Sequence, residues 1–287
     1  MLRARLTPLL LALSLVACST AGEHETALPG DAEREARHSA RGCDRGDAYA
    51  CHNLAVSWRD GAEGLHPDED RALQLFLHAC DEDASTACRH AARILDRRDQ
   101  PEQARQLLRK ACDLLDAFAC TDLALLIAQG RGGPADPVLS FSMMESACAR
   151  RVPTACMESA HALLDPDHPA HDEHRGRLLL GHNCQNGLME ACAAAGALLV
   201  RDLRASRQSG HPPSAPLDPD DDRSPELTLD PARATPRTAE VLLRRGCLGR
   251  VGQACADLAE LLRTGDLLPV DEERAARLEQ MAREAPR

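Results

Sequence analysis

The chain has 287 residues, a formal net charge of −11 and 2% aromatic residues. Phosphate binding needs a basic face and single strands need stacking platforms, so nucleic acid is not an expected partner. Thirteen cysteines in a chain of this length point to an oxidising compartment.

Arg3 and Arg5 precede an apolar run from Leu6 to Val16, the layout of a secretory signal and too short for a membrane span. Residues 1–17 therefore read as a signal peptide. Leu15-Val16-Ala17-Cys18 resembles the bacterial lipobox, which implies cleavage behind Ala17 and a lipid on Cys18. Ser19, following the cysteine, implies outer-membrane sorting within a bacterial cell envelope, with the chain periplasmic or surface-facing. Residues 18–30 lack apolar periodicity and read as the lipidated tether. Setting Cys18 aside leaves twelve cysteines.

Those twelve follow one frame: Cys43/Cys51, Cys80/Cys88, Cys112/Cys120, Cys148/Cys156, Cys184/Cys192 and Cys247/Cys255. Within each pair the cysteines lie eight apart, with alanine before the second. Successive first cysteines are 37, 32, 36, 36 and 63 residues apart, mostly the period of a two-helix repeat. In one continuous helix, residues eight apart would be about 12 Å apart, whereas a disulfide needs Cα atoms within about 7 Å. The chain must turn inside each pair, and Gly46, Asp47, Pro153, Asn186, Gly187, Gly249 and Gly252 supply turn chemistry there. Each pair is expected to bridge its own helix-to-helix corner.

Twelve residues before each first cysteine stand Asp31, Asp68, Gln100, Asp136, Asp172 and Thr235, five of them good helix N-caps. Four residues after each of these come Glu35, Ala72, Ala104, Ser140, Gly176 and Ala239. Four residues after each second cysteine come Ala55, Ala92, Ala124, Ala160, Gly196 and Ala259, small enough for two helices to approach closely. Larger residues such as Ile94, Leu126, Leu163, Leu199 and Leu261 then fill the core.

Small-residue positions, a Gly-rich loop (Gly130-Arg131-Gly132-Gly133-Pro134), an Asp-capped helix with Ala-x-x-Leu, and Ala-Cys resemble the Sel-one-like repeat, a relative of the tetratricopeptide repeat. The clipped corners resemble its cysteine-rich secreted bacterial subgroup. The resemblance covers 31–203 and 237–287 and implies an all-α, right-handed α/α superhelical solenoid: a leading helix over 31–43, then six antiparallel pairs. The leading helix departs from the pattern in having few large apolar residues.

Residues 204–236 interrupt one repeat: Cys192 and Cys247 are separated by 55 positions, against 28 for Cys120 and Cys148. Proline and charge without periodicity, as in Asp218-Pro219-Asp220-Asp221-Asp222, read as a disordered insert. Residues 237–287 supply the final repeats and a C-terminal cap. There Asp271-Glu272-Glu273-Arg274-Ala275 aligns with Asp68-Glu69-Asp70-Arg71-Ala72 and puts Arg283 where Cys80 stands. With no later helix to clip, no cysteine is needed.

Three kinds of chemistry compete with a scaffold reading. The loop Asp165-Pro166-Asp167-His168-Pro169-Ala170-His171-Asp172-Glu173-His174 spaces His168, His171 and His174 by threes, a set that zinc or copper would accept. The cysteine-rich subgroup also carries a penicillin-binding or β-lactamase label. The usual Ser-x-x-Lys nucleophile is absent, however, because Leu107 stands three residues before Lys110, the sole lysine. Exchange-active cysteines sit three apart at a helix start, so pairs eight apart read as structural. No cofactor or catalytic residue is expected.

The remaining reading is a non-catalytic, envelope-anchored scaffold that binds another envelope protein or a peptide on its concave face, with the membrane reached through Cys18. On the helices after the second cysteines, His52, Asn53, Arg89, His90, Thr121, Asp122, Met157 and Glu158 are the expected exposed contacts.

Overall fold

The computed structural model describes residues 31–61, 66–210, 229 and 234–286. The stretches expected to be a signal peptide (1–17) and a tether (18–30), with Cys18, and most of the expected 204–236 insert lie outside the described residues. So do the side chains of Asp31 and Glu35.

Among the described residues there are thirteen α-helices and no strand: α1 (Asp31–Cys43), α2 (Ala48–Asp60), α3 (Glu69–Asp81), α4 (Ser85–Arg97), α5 (Pro101–Asp113), α6 (Ala117–Ala128), α7 (Pro137–Ala149), α8 (Pro153–Leu164), α9 (Glu173–Gln185), α10 (Met189–Ser209), α11 (Pro236–Leu248), α12 (Gly252–Thr264) and α13 (Glu272–Glu284). Each helix packs chiefly on its sequence neighbours. Among the described residues no helix is long and apolar enough to cross a membrane.

Local chemistry sets the helix starts. Asp68, Asp136, Asp172, Thr235 and Asp271 each accept a hydrogen bond from the amide three residues on, satisfying a donor that a helix start leaves unpaired. Gln100 makes no such bond; Pro101, whose fixed φ suits the first helical position, opens α5 instead. The amides of Asp68, Asp136, Asp172 and Asp271 also donate back to Trp58, Ile127, Leu163 and Leu262. Every such cap thus ties its helix to the end of the preceding one.

All six cysteine pairs are disulfides within their own corners: Cys43–Cys51, Cys80–Cys88, Cys112–Cys120, Cys148–Cys156, Cys184–Cys192 and Cys247–Cys255, with Cα–Cα distances of 4.5 to 4.7 Å. Most of these cysteines are also core residues. Cys51, Cys80, Cys88, Cys156, Cys184, Cys192, Cys247 and Cys255 are buried, whereas Cys43, Cys112, Cys120 and Cys148 are partly exposed. Cys88 is 0% exposed and packs in one core with Ala92, Leu95 and Leu108; Cys255 is 1% exposed and packs in another with Leu258 and Ala259. The physical reason is placement: each second cysteine lies in the first turn of a helix, on the side that faces its neighbours, so the bridge closes the corner from within. None of these buried sulfurs is therefore a surface contact for a partner.

The corner closes through a residue in the left-handed region three positions after each first cysteine. Gly46 and Gly187 take that conformation freely. Asp83, Leu115, Arg151 and Arg250 hold it at φ of 63°, 67°, 64° and 65°, at a steric cost. Gly249 sits at an ordinary φ of −76°, and a Cβ there would meet Met189 Cγ at 2.2 Å, so this glycine makes room for packing.

The small-residue stripes are the helix contacts. Ala55, Ala92, Ala124, Ala160 and Ala259 are buried, as are Ala72, Ala104, Ser140 and Ala239. Ser140 Oγ donates to the Ala124 carbonyl at 2.8 Å, so the one polar member is satisfied across the interface. A Cβ on Gly196 would meet Leu243 Cγ at 2.8 Å and its backbone nitrogen at 3.0 Å, so α11 lies against bare backbone.

The insert begins later than residue 204. Helix α10 continues to Ser209 and stops at Gly210, whose φ of 70° forms the C-cap. Leu203 is buried in the core, which keeps the helix going past the repeat's usual length. The chain returns through buried Leu229 and Ala234. Arg177, itself buried, donates to Asp202 at 2.7 Å, to Glu173 at 2.7 Å and to the Leu229 carbonyl at 3.2 Å, tying α9, the α10 extension and the returning chain together.

Candidate functional site

The polar side chains of α2, α4 and α6 form one continuous set. His52 on α2 and His90 on α4 have ring centroids 5.4 Å apart, and Phe76 of α3 lies beneath both at 5.6 and 5.1 Å. Arg59 Nη1 donates to His90 Nδ1 at 3.2 Å while its Nε and Nη2 grip both oxygens of Asp60 at 2.7 Å. An arginine is always a donor, so His90 accepts at Nδ1 and carries its proton on Nε2.

Burial lowers the pKa of His90 to about 4, with Arg89, Arg59, His52 once it is protonated, and Arg93 acting in the same direction. His52 is lowered for the same first reason, against an opposing hydrogen bond to Asn53. Both rings are neutral near pH 7.

The set continues into α6. Arg89 pairs with Asp116 at 3.4 Å, and its guanidinium lies 5.4 Å from the Phe118 ring centroid. Asp116 also caps α6 through the Phe118 and Ala119 amides. Arg131 spans back from the loop after α6 to the Asp96 carboxylate at 2.9 Å and its carbonyl at 3.2 Å. Burial raises the pKa of Asp122, against the pull of Arg93 and Arg89. Five buried atoms in this set have no hydrogen-bond partner: the ion-paired Arg89 Nε and Asp116 Oδ2, and the acceptors His52 Nε2, Asp96 Oδ1 and Asp122 Oδ2. Rings for stacking, guanidinium groups for carboxylates and free buried acceptors make this face chemically suited to a polar peptide segment.

Of the eight contacts expected from the sequence, His52, Asn53, Arg89, His90 and Asp122 belong to this set. None of the eight is fully exposed. Thr121 is a correction: it is 2% exposed, and its hydroxyl donates to the Ala117 carbonyl at 2.9 Å inside its own helix. Met157 packs on the C-terminal core, and Glu158, partly buried on the same helix, lies outside the set. Arg59, Arg93, Asp96, Asp116 and Arg131 went unread in the sequence. Arg93 and Asp96 lie four and seven positions after Arg89, a helical spacing that would have shown them on the same face.

The histidine loop does not converge on a metal site. His168 Nδ1 accepts from the Ala170 amide at 3.1 Å, its ring centroid lies 5.8 Å from that of Phe141, and the His171 amide donates to the His168 carbonyl at 2.9 Å. Among the described residues, ligand atoms of three such residues come together only at Cys43, Cys51 and His78, where both sulfurs are already in a disulfide.

Comparisons with known proteins agree with this architecture. The Sel1 repeat family matches residues 48–83, 95–114, 117–151 and 252–285. Cytochrome c oxidase assembly factor 7 of Xenopus tropicalis is 26% identical over 143 residues, covering 46% of this chain and 62% of that protein. A protective antigen present in uropathogenic Escherichia coli strains, displaying an SLR fold, superposes with a TM-score of 0.66 at 16% identity. The alignment covers 87% of this chain and 48% of the antigen. A Sel1 repeat protein from Oxalobacter formigenes gives a TM-score of 0.63 at 14% identity, covering 86% and 96%. The chain therefore spans less than two thirds of the first relative and about half of the antigen, and at these identities the structures show the fold alone. The Sel1 scaffold is consistent with protein–protein binding. With the helix pairs, their small-residue contacts and the six corner disulfides in place, the chain is an all-α solenoid that carries Sel1 repeats at 48–83, 95–114, 117–151 and 252–285 and whose cysteine pairs fit the cysteine-rich subgroup.

Proposed function

We propose that this chain is a non-catalytic scaffold, anchored in a bacterial envelope through a lipid on Cys18, that holds another envelope protein or a peptide on the face made by α2, α4 and α6. The observation that carries the reading is the His52–Phe76–His90 ring cluster flanked by Arg59 and Arg89. The neutral rings offer stacking surface, and the arginines are held in place by their own partners, so little order remains to be imposed on binding. The disulfides support the same reading, since they fix the repeats in an oxidising compartment and leave none of the twelve cysteines as a thiol. Lys110 Nζ is likewise engaged, by the Cys80 and Asp81 carbonyls at 2.6 and 3.3 Å and by Asp83 at 2.9 Å, and so serves the end of α3.

The test is capture of a partner from detergent-solubilised envelope by the lipidated chain and by a variant carrying Arg59→Glu and Arg93→Glu. Loss of one reproducible partner, with helical dichroism and melting midpoint retained, supports the reading. An unchanged capture profile, or turnover of a chromogenic β-lactam by the purified protein, overturns it. For the anchor, Cys18→Ala releases the protein into the soluble fraction; retention in the membrane rejects the lipid.

A further inference from the structure

A second feature lies away from that face, in the stretch 152–251 that the Sel1 family model leaves unmatched, together with the end of α7. The last turns of α7 and α9 and the start of α8 enclose a cleft of about 670 Å³, within the roughly 300–1,000 Å³ range of small-ligand sites. Its walls are mainly apolar, with the Cys148 and Cys156 bridge on one side and Leu179 and Leu188 on the other.

Six lining side chains are polar, and two of these are buried without a partner. Ser159 on α8 is 0% exposed and its hydroxyl has no hydrogen-bond partner; Asn183 on α9 is 6% exposed and its amide nitrogen has none either. A buried polar group left unpaired is costly, so such groups call for a complement.

The other five repeats provide the control. At the place of Ser159, three residues after the second cysteine, they carry Leu54, Ala91, Leu123, Ala195 and Leu258. At the place of Asn183, just before the first cysteine, they carry Gly42, Ala79, Ala111, Ala147 and Gly246. The fold at these positions asks only for an apolar or small residue. In this chain two successive corners depart, the Cys148–Cys156 corner at the first position and the Cys184–Cys192 corner at the second, and both departures line the same cleft.

We propose that the cleft between α7, α8 and α9 is a small-molecule site for a neutral compound with a compact apolar body and a carbonyl oxygen. One hydroxyl and an amide NH₂ are a donor-rich pair, so the ligand supplies the acceptor. The acceptor is neutral because no cation reaches the buried end: the lining cation Arg151 is exposed, and a buried carboxylate facing only neutral donors would lose its hydration uncompensated. Glu145, which also lines the cleft, is held by Arg175 at 2.5 Å. His182 Nε2 and Asn186 Nδ2 occupy each other at 2.8 Å. This site stands independently of any partner on α2, α4 and α6.

The experiment uses the full mature chain with its disulfides intact and two probes of matched shape, phenylacetamide and phenylacetate, followed by protein NMR with the Asn183 side-chain amide as reporter. Phenylacetamide shifts that resonance saturably, with a Kd of about 1 mM or tighter, and phenylacetate binds at least about tenfold more weakly. Ser159→Ala with Asn183→Ala, followed on the Leu179 and Leu188 methyl resonances, weakens phenylacetamide about tenfold while the melting midpoint holds or rises, since the variant removes two unpaired polar groups. Ala149→Leu, on the exposed rim, blocks the cleft without touching either group and also abolishes binding. Three results overturn the proposal: no saturable shift, undiminished binding in both variants, or phenylacetate binding as tightly as the amide. The first means that only water fills the cleft.

Discussion

Replacing Cys184 and Cys192 together by alanine removes one corner bridge without leaving a thiol. The bridge closes a loop of eight residues. In the chain-entropy account such a loop contributes about 2.5 kcal/mol by restricting the unfolded chain. Both cysteines are buried, but alanine keeps the Cβ, and the corner retains its backbone bonds from Gly187 to Cys184 and from Leu188 to Asn183. The helices should therefore still form, and the loss should be local, because a repeat in a solenoid is stabilised only by itself and its neighbours. At about 1.4 kcal/mol per factor of ten, hydrogen exchange of the slowest α9 and α10 amides should accelerate about sixty-fold. The α3 and α4 amides should change little. All six bridges span the same eight residues, so the entropy account assigns them equal worth. Position then separates them: loss of the Cys43–Cys51 bridge should loosen α1 and little else. Unchanged exchange in α9 and α10, or an equal acceleration in α3 and α4, would refute local clipping.

Arg177→Met should destabilise the α9–α10 region by about 3 kcal/mol in urea unfolding, because it strands Asp202 half-buried, whereas adding Asp202→Leu should recover most of the loss; a cost under about 1 kcal/mol would reject the tie. The unfolded chain protonates His90 near 6.5 and the folded chain only near 4. Its contribution is thus complete above pH 6.5 and is lost as pH falls through that window, worth about 1 kcal/mol after discounting for a half-exposed ring. His90→Phe should flatten the melting-midpoint profile between those values, and an unaltered profile would count against a neutral, buried ring. Leu115→Gly should raise stability by about 0.5–1 kcal/mol, since the residue is 74% exposed and held at φ 67°. Gly46→Ala, at φ 84° with no atom within 4 Å of the added Cβ, should lower it by about 1 kcal/mol, and equal signs for the two would contradict the left-handed corner.

The sequence by itself determined the fold: the eight-residue cysteine frame, the aspartate caps and the alanine at each helix contact recur at fixed offsets, and each is a local requirement of a helix, a corner or a close packing. Spacing paired the cysteines but did not show how deep they lie; the burial of Cys88 and Cys255 comes from helices of the neighbouring repeat closing over them. Periodicity also marked the interruption near residue 204, though not its start, because the burial that carries α10 to Ser209 comes from Leu203 packing against the core. Single positions misled where their burial depended on neighbouring helices. Thr121 reads as a polar surface residue, yet α6 turns it inward. Spacing by threes brought His168, His171 and His174 together on paper, but their ligand atoms do not all lie within 4.8 Å of one another. The arginine and aspartate pairs across α2, α4 and α6, the Arg177 tie and the Ser159–Asn183 cleft join residues 25 to 52 positions apart or from successive repeats. Their meeting depends on how one repeat is rotated against the next, a quantity set by side-chain packing over the whole stack and written in no single repeat.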